Sequence, residues 1–200
     1  AVLRKRDFRR LFICIFIIMG IFNAIMTWVE DIVKPRGIIS SQAGLIGGIL
    51  VVAGLAGAVI LPALSDKMRR RCPFLFWPII LAIPGFAGLT FFSDYKLLLL
   101  SAALMGFFIM GMGPVAFQYG AETAYPVAEG TSYGMLMLAG QVSGILFIYV
   151  MDLFRDKDTG DMMASLAVFI LLMSISFILA SRLKESSLLI GSDGKSDFSA

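Results

Sequence analysis

The sequence contains no histidine among its 200 residues and only two cysteines. Histidine is the usual general base near neutral pH and the commonest metal ligand, so its absence removes the simplest catalytic and zinc-binding schemes. Cys14 lies inside an apolar run, and Cys72 follows a basic cluster far away in the sequence. This spacing provides neither a disulfide framework nor a metal motif. We therefore predict that the chain binds no metal and no cofactor.

Charged residues are scarce as well, at 16% of the chain, against about 25% in an ordinary soluble domain. The net charge is +3, but lysine and arginine occur in short clusters and form no basic face with interleaved aromatic residues. Such clusters are typical of segments that flank a membrane, so we expect no nucleic-acid partner. No serine lies beside an obvious base and no cysteine-based pair is present, which argues against an enzyme.

Apolar residues, in contrast, make up 58% of the chain, and the mean hydropathy is +0.88. They are grouped in blocks of about twenty residues, the length that crosses a bilayer as a helix. We therefore predict an all-α protein integral to the lipid bilayer, with six transmembrane helices. The predicted spans are Leu11–Ile32, Gln42–Leu64, Pro73–Phe92, Leu97–Thr123, Thr131–Leu153 and Met162–Ser181.

The remaining residues divide the chain into a charged connector (1–10), the six-helix bundle (11–182) and a polar tail (183–200) that we predict to be disordered. Lysine and arginine are more frequent on the side of the spans that holds both termini. By the positive-inside rule, we expect both termini in the cytoplasm. The chain opens on charged residues without a methionine, and we interpret it as part of a longer protein.

A faint internal repeat relates the second and fifth spans. Leu50–Asp66 aligns without gaps to Leu136–Asp152, and the identical pairs are Leu50/Leu136, Ala53/Ala139, Gly54/Gly140 and Asp66/Asp152. Spans one to three would then repeat as spans four to six in the opposite orientation. Such inverted three-helix repeats are typical of secondary transporters, although a match this short between glycine-rich segments is also compatible with chance.

Polar side chains form stripes on the first and fourth spans. Asn23, Thr27 and Glu30 are spaced i, i+4, i+7, and Gln118 and Glu122 are spaced i, i+4, so each group shares one helical face. Amide and charged groups are costly against lipid, so they should face either a solute cavity or a neighbouring helix.

We favour the cavity for the polar residues deep in their spans. We predict a solute cavity near the middle of the membrane, with Trp28 shaping its outer side. The predicted solute-binding residues are Asn23, Thr27, Trp28, Gln118 and Gln141. Glu30 and Glu122 are candidates for cation or proton coupling. For Glu30, near the end of its span, simple contact with water is the favoured alternative.

Small residues recur at four-residue spacing in the second and fifth spans. Examples are Gly44 with Gly48 and Gly140 with Gly144. Small residues let two helix backbones approach closely, so we predict that these pairs pack helices rather than bind solute.

The segment Pro62–Arg71, PALSDKMRRR, resembles the cytoplasmic loop signature of the major facilitator superfamily. That signature has Gly, any residue, Leu, a small residue, Asp, a basic residue, two variable positions and two basic residues. The matching residues are Leu64, Asp66, Lys67, Arg70 and Arg71, whereas Pro62 stands in place of the initial glycine. We predict that Asp66 with Arg70 and Arg71 latches the cytoplasmic side shut. Plain positive-inside anchoring explains the arginines but not the aspartate.

A second segment, Ala121–Gly144, is similar to the tenth-to-eleventh helix region of facilitators related to the feline leukaemia virus subgroup C receptor. The matching positions are Glu122, Thr123, Tyr125, Pro126, Val127, Glu129, Gly130, Thr131, Ser132, Gly134, Gln141 and Gly144. The resemblance implies that the chain is the C-terminal half, helices seven to twelve, of a twelve-helix transporter.

The same resemblance implies where the site lies. In relatives that carry choline or ethanolamine, the glutamine that matches Gln141 contributes to the central site, whereas an aromatic residue of that site corresponds here to Asn23. The haem substrate also proposed in that branch finds no histidine here. We therefore take over the fold and the location of the site, but not the solute.

These observations predict secondary active or facilitative transport of a small polar or organic solute by alternating access. A site between two halves requires a second half, which is either a six-helix unit absent from this chain or a second copy. The alternative is a non-transporting membrane scaffold or assembly protein with the same fold. The scaffold predicts no response to solute and no effect of conservative changes at Asn23 or Gln118.

Overall fold

The computed structural model describes residues 2–156 and 160–186, and this part of the chain contains six α-helices. They are α1 (Arg6–Val33), α2 (Ser40–Met68), α3 (Pro73–Phe91), α4 (Tyr95–Ala124), α5 (Glu129–Leu153) and α6 (Met163–Ser181). Each is long and apolar enough to cross a membrane. The predicted fold of six long apolar helices is confirmed.

Four helices extend beyond the predicted spans, and the longest extensions are at the charged ends of α1 and α2. Helix α1 begins at Arg6, so half of the predicted connector is helical, and α2 continues to Met68. Asp66 and Lys67 therefore lie in the last turn of α2 instead of in a loop. A hydropathy pattern reports only the apolar part of a helix, whereas the backbone hydrogen bonds continue into the polar layer.

The packing follows the predicted inverted repeat. Helix α1 packs along α5 as α4 packs along α2, and α6 lies against α1 as α3 lies against α4. The repeat glycines occupy equivalent places in these crossings: a Cβ on Gly54 would overlap the side chain of Met110, and a Cβ on Gly140 would lie 3.2 Å from the Cβ of Met19. Leu50 and Leu136, the repeat leucines, are both fully buried.

The closest helix crossing joins α2 to α4. A Cβ on Gly57 would overlap the carbonyl oxygen of Phe107, and a Cβ on Gly106 would overlap that of Leu50. Both contacts are with backbone, so only glycine allows the two helices to approach this closely. Gly44 and Gly48, predicted to pack helices, are exposed, and a Cβ on either would have no described atom of a neighbouring helix within 4 Å.

The bundle has two ends, which we call lower and upper. The lower end holds the start of α1, the loops 69–72 and 125–128, and residues 182–186 after α6; the upper end holds the other three connections. Leu183 and Ser186 are buried at the lower end. The rest of the predicted disordered tail, 187–200, lies outside the described residues.

Candidate solute site

A cavity of about 540 Å³ lies between four helices, α1, α2, α4 and α5. Two of these helices come from each three-helix repeat, which places the cavity at the junction of the repeats. The residues that line it are Met19, Phe22, Asn23, Ala58, Ile109, Met110, Gly113, Pro114, Phe117, Tyr133, Leu136, Met137, Gly140 and Gln141. We call this space the central cavity.

Asn23 is held in the cavity wall by the crossing of α1 and α5. Its side-chain Nδ2 donates a hydrogen bond to the carbonyl oxygen of Gly140 over 3.4 Å. A Cβ on Gly144 would lie only 2.7 Å from the same nitrogen. The two glycines of α5 therefore create the space that the asparagine occupies, and its position depends on them.

Gln141 follows Gly140 on α5 and lines the same cavity with an exposed side chain. Pro114 on α4 also lines the cavity. Proline has no amide hydrogen, so the carbonyl of Met110, one turn earlier, lacks its usual helical donor. Among the lining residues, the polar side chains are those of Asn23, Gln141 and Tyr133, and the other side chains are aliphatic, thioether or aromatic.

Gln118 does not line the central cavity. It lies in a neighbouring space of about 620 Å³ on the same side of α4 and α5 but nearer the lower end. The residues that line this space, which we call the lower chamber, are Phe117, Gln118, Ala121, Glu122, Glu129, Gly130 and Tyr133. Phe117 and Tyr133 also line the central cavity, so these two rings stand between the two spaces.

Thr27 and Trp28 are also outside the lining of the central cavity. The hydroxyl of Thr27 donates to the carbonyl of Asn23 over 2.9 Å. The indole Nε1 of Trp28 donates to the carbonyl of Ile148 over 3.3 Å. The guanidinium of Arg155 lies 5.6 Å from the centre of the same indole ring.

The Trp28 contacts belong to a connection between α1 and the end of α5 at the upper end. Arg155 completes it with an ion pair of 3.0 Å to Asp31. Glu30, next in sequence to Asp31, is exposed, and its Oε1 accepts a hydrogen bond of 2.6 Å from the hydroxyl of Ser40. These groups therefore join α1 to its neighbours α2 and α5, above the solute space.

The lower end holds a buried ion cluster around Arg71. This residue is only 4% exposed, and its guanidinium pairs with Asp66 and, over 3.3 Å, with Oε1 of Glu122. The hydroxyl of Ser65 accepts a further hydrogen bond of 3.1 Å from it. Arg70, predicted as a partner of Asp66, is exposed, and its backbone carbonyl accepts from Ser65 over 2.8 Å.

Sequence reasoning missed Glu185, which joins the ion cluster from the segment after α6. Its two carboxylate oxygens accept hydrogen bonds of 3.0 Å each from the backbone amides of Arg71 and Cys72, where α3 begins. The hydroxyl of Tyr119 donates to the carbonyl of Lys184 over 2.7 Å and fixes the same segment. The sequence offered only a weak indication of this role, since an acidic residue is favourable near the start of a helix and many surface carboxylates could occupy such a position.

The environment of Cys72 reflects this arrangement. Burial, together with the negative charge of Glu185, raises the pKa of its thiol to about 12. The thiol is therefore neutral and unreactive near neutral pH, because the thiolate is the reactive form.

A sequence model of the Major Facilitator Superfamily matches residues 1–148. The chain belongs to this superfamily. An MFS-type transporter of Caenorhabditis elegans is 34% identical over 76% of the chain, and the choline/ethanolamine transporter FLVCR1 of Felis catus is 33% identical over 72% of it. A protein of Archaeoglobus fulgidus is 29% identical over 92%.

The lengths of these relatives differ. The chain spans 27% of the C. elegans protein and 26% of the F. catus protein, but 82% of the A. fulgidus protein. The superfamily and the names of the relatives confirm that the chain is an integral, multi-pass membrane protein of a transporter family and not an enzyme. The predicted resemblance to the receptor-related branch is confirmed as well.

Proposed function

We propose that the chain forms part of a transporter that moves a small organic solute across the membrane by alternating access, with the central cavity as its solute site. The observation that carries the proposal is the position of Asn23 and Gln141. These amides, from two helices of opposite repeats, line one cavity whose wall is otherwise largely apolar. Ligand sites in proteins combine a largely apolar wall with a few polar groups that orient the ligand.

The wall favours a small ammonium alcohol as the solute. Phe22, Phe117 and Tyr133 supply aromatic faces, which attract a quaternary or primary ammonium group. The side-chain amides of Asn23 and Gln141 can exchange hydrogen bonds with a hydroxyl group. Choline and ethanolamine combine these features, and they are the solutes in the name of the F. catus relative. Gln118 contributes from the lower chamber rather than from the central cavity.

A second six-helix unit completes the site in this proposal. Pro114 and Gln141 line the cavity and are exposed, so the cavity is open on the side away from α3 and α6. A partner unit, either a different half or a second copy, covers that side. We place the lower end, with its Lys and Arg residues, in the cytoplasm, where the Arg71 cluster stabilises one of the two alternating states.

Binding of radiolabelled choline and ethanolamine in detergent to the chain assembled with the six-helix unit that covers the cavity tests the proposal. Gln141→Ala is expected to weaken binding of the better probe about tenfold, since it removes a hydrogen bond and leaves the solute hydroxyl unpaired. Thr131→Ala is the matched control, because Thr131 is an exposed polar residue of the same helix outside the cavity lining. Equal affinity of wild type and Gln141→Ala contradicts the site, and absence of any solute effect favours the scaffold.

A further inference from the structure

We propose that the lower chamber is a second binding site for a small organic ammonium ion, separated from the central cavity by the rings of Phe117 and Tyr133. The inference rests on the proposed transport of such a solute. It adds a site on the lower side, where the ion would bind before entering the central cavity or after leaving it.

The chemistry of the lining points to a cation. Two carboxylates, of Glu122 and Glu129, line the chamber together with the amide of Gln118 and two aromatic rings. No lysine or arginine is among the lining residues. Carboxylates attract a cation over a long range. Aromatic faces bind an ammonium group even when its methyl groups keep the nitrogen from approaching a carboxylate closely.

The carboxylate of Glu122 acts on the chamber through its charge. Its Oε1 is the partner of Arg71, and its Oε2 is buried and accepts no hydrogen bond within residues 2–156 and 160–186. Since Oε2 is enclosed, Glu122 attracts a cation in the chamber at a distance and not through direct contact. Glu122 also lines a separate groove. The other charged residues that line this groove are Lys5, Arg6, Asp7, Lys184 and Glu185, and none of them lines the lower chamber.

Glu129 contributes an exposed negative charge. It is the first residue of α5, and its carboxylate forms no ion pair with another described residue. A carboxylate at this position also stabilises the helix dipole. The effect on the helix dipole does not depend on solute, so a binding experiment with charged and uncharged probes distinguishes it from attraction of a cation.

The ring pair separates the two spaces and contacts both. The ring centres of Phe117, on α4, and Tyr133, on α5, lie 4.5 Å apart with the planes inclined at 43°. Both residues line the central cavity and the lower chamber. An ammonium ion that passes between the spaces therefore moves along aromatic faces, which bind it without a hydrogen bond. Movement of either ring changes the width of the passage.

Equilibrium binding to the chain assembled with its second six-helix unit, in detergent at low ionic strength, tests the lower chamber. The probes are choline and its uncharged carbon analogue, in which carbon replaces the quaternary nitrogen. Glu129→Gln is expected to weaken choline binding about threefold and to leave the analogue unchanged, since it removes charge and keeps the shape. Asp152→Asn is the matched control, because it removes an exposed carboxylate at the opposite end of α5. Tyr133→Leu is expected to weaken choline binding more than binding of the analogue.

The outcomes separate this inference from the proposed function. If Gln141→Ala weakens choline binding but Glu129→Gln binds as wild type does, the second site is wrong and the central site stands. If Glu129→Gln lowers choline affinity while Gln141→Ala does not, the lower chamber stands and the central site is wrong. An equal loss of both probes in Glu129→Gln contradicts recognition of charge, and no binding by the assembled wild-type protein overturns both sites.

Discussion

The Nε of Arg71 lies 3.3 Å from Oε1 of Glu122, although the two residues are 51 positions apart. The arginine follows α2 and the glutamate lies in the last turn of α4, so the ion pair joins the two repeats at the lower end. Asp66, 57% exposed at its side chain, is the second partner of the same guanidinium. One arginine of the loop signature therefore forms an ion pair with a residue of another helix.

Loss of the Arg71 guanidinium should destabilise the bundle. Arg71→Ala leaves Glu122, 15% exposed at its side chain, as an unpaired charge, and removing one partner of a buried pair costs about 3 kcal/mol. Thermal unfolding in detergent measures the effect. Arg70→Ala is the matched control because Arg70 is exposed, and we expect its midpoint within about 1 °C of wild type. Equal losses of stability in both variants would show that the Arg71–Glu122 ion pair contributes no more than any positive charge in the loop.

The α2–α4 crossing should tolerate no side chain at Gly57. Gly57→Ala places a Cβ on the carbonyl of Phe107, so the helices must separate and the fold should lose more than about 3 kcal/mol. Gly48→Ala, on the same helix with open space around it, should be neutral or stabilising by up to about 1 kcal/mol, since alanine favours a helix. The unfolding midpoints of the two variants measure this difference. A Gly57→Ala protein as stable as wild type would contradict the close backbone contact between α2 and α4.

The asparagine site should depend on a glycine that does not line the cavity. Gly144→Ala places a Cβ 2.7 Å from Nδ2 of Asn23 and should displace the amide. We expect choline binding to weaken at least about threefold and stability to fall by about 1–3 kcal/mol. Gly134→Ala, on α5 with no described neighbour within 4 Å of the new Cβ, should change neither quantity. Unaltered binding by a folded Gly144→Ala protein argues against a role of Asn23 in positioning solute.

Reactivity of Cys72 should report the contact of Glu185 with the start of α3. In a Cys14→Ser background, a maleimide should modify Cys72 slowly near pH 7.5, because burial raises the pKa of the thiol to about 12. Glu185→Ala releases the segment that covers it, so the labelling rate should rise more than about tenfold as the thiolate fraction increases. Lys184→Ala, which keeps the backbone carbonyl used by Tyr119, should label like wild type.

The same thiol gives a pH dependence with a defined sign. Its pKa is raised from 9.0, the reference value of an unperturbed cysteine thiol, to about 12 in the fold. The neutral thiol therefore contributes stability below about pH 9, and that contribution should be lost as the pH rises from about 9 to about 12. Unfolding midpoints across this range, compared with those of Cys72→Ala, should show a smaller decline in the variant.

The helices were predictable because hydrophobic length is a local property. A bilayer requires about twenty apolar residues per span, and each of the six blocks meets that requirement without reference to any other. The inverted repeat was predictable for a related reason. Its matching positions, such as Gly54 and Gly140, face equivalent helices in the two halves, so packing requires the same small residue in both.

The site was predictable only in part. Asn23 and Gln141 both line the central cavity, whereas Gln118 lies in the lower chamber and Trp28 lies at the upper end. Helical spacing shows which residues share a face but not the depth or the neighbour of that face. The roles of all these residues in transport stay predictions.

Local hydrophobicity was enough to predict the six helices, although not their full lengths, and short motifs were enough to predict the superfamily. Only the tertiary structure decided that Arg71 and not Arg70 is buried, that Gly57 and not Gly48 meets a backbone, and that Glu185 reaches the start of α3. The physical reason is the same in each case. Burial, close approach and ion pairing depend on where a helix face lies relative to a distant segment, and neighbouring residues in the sequence do not specify that distance.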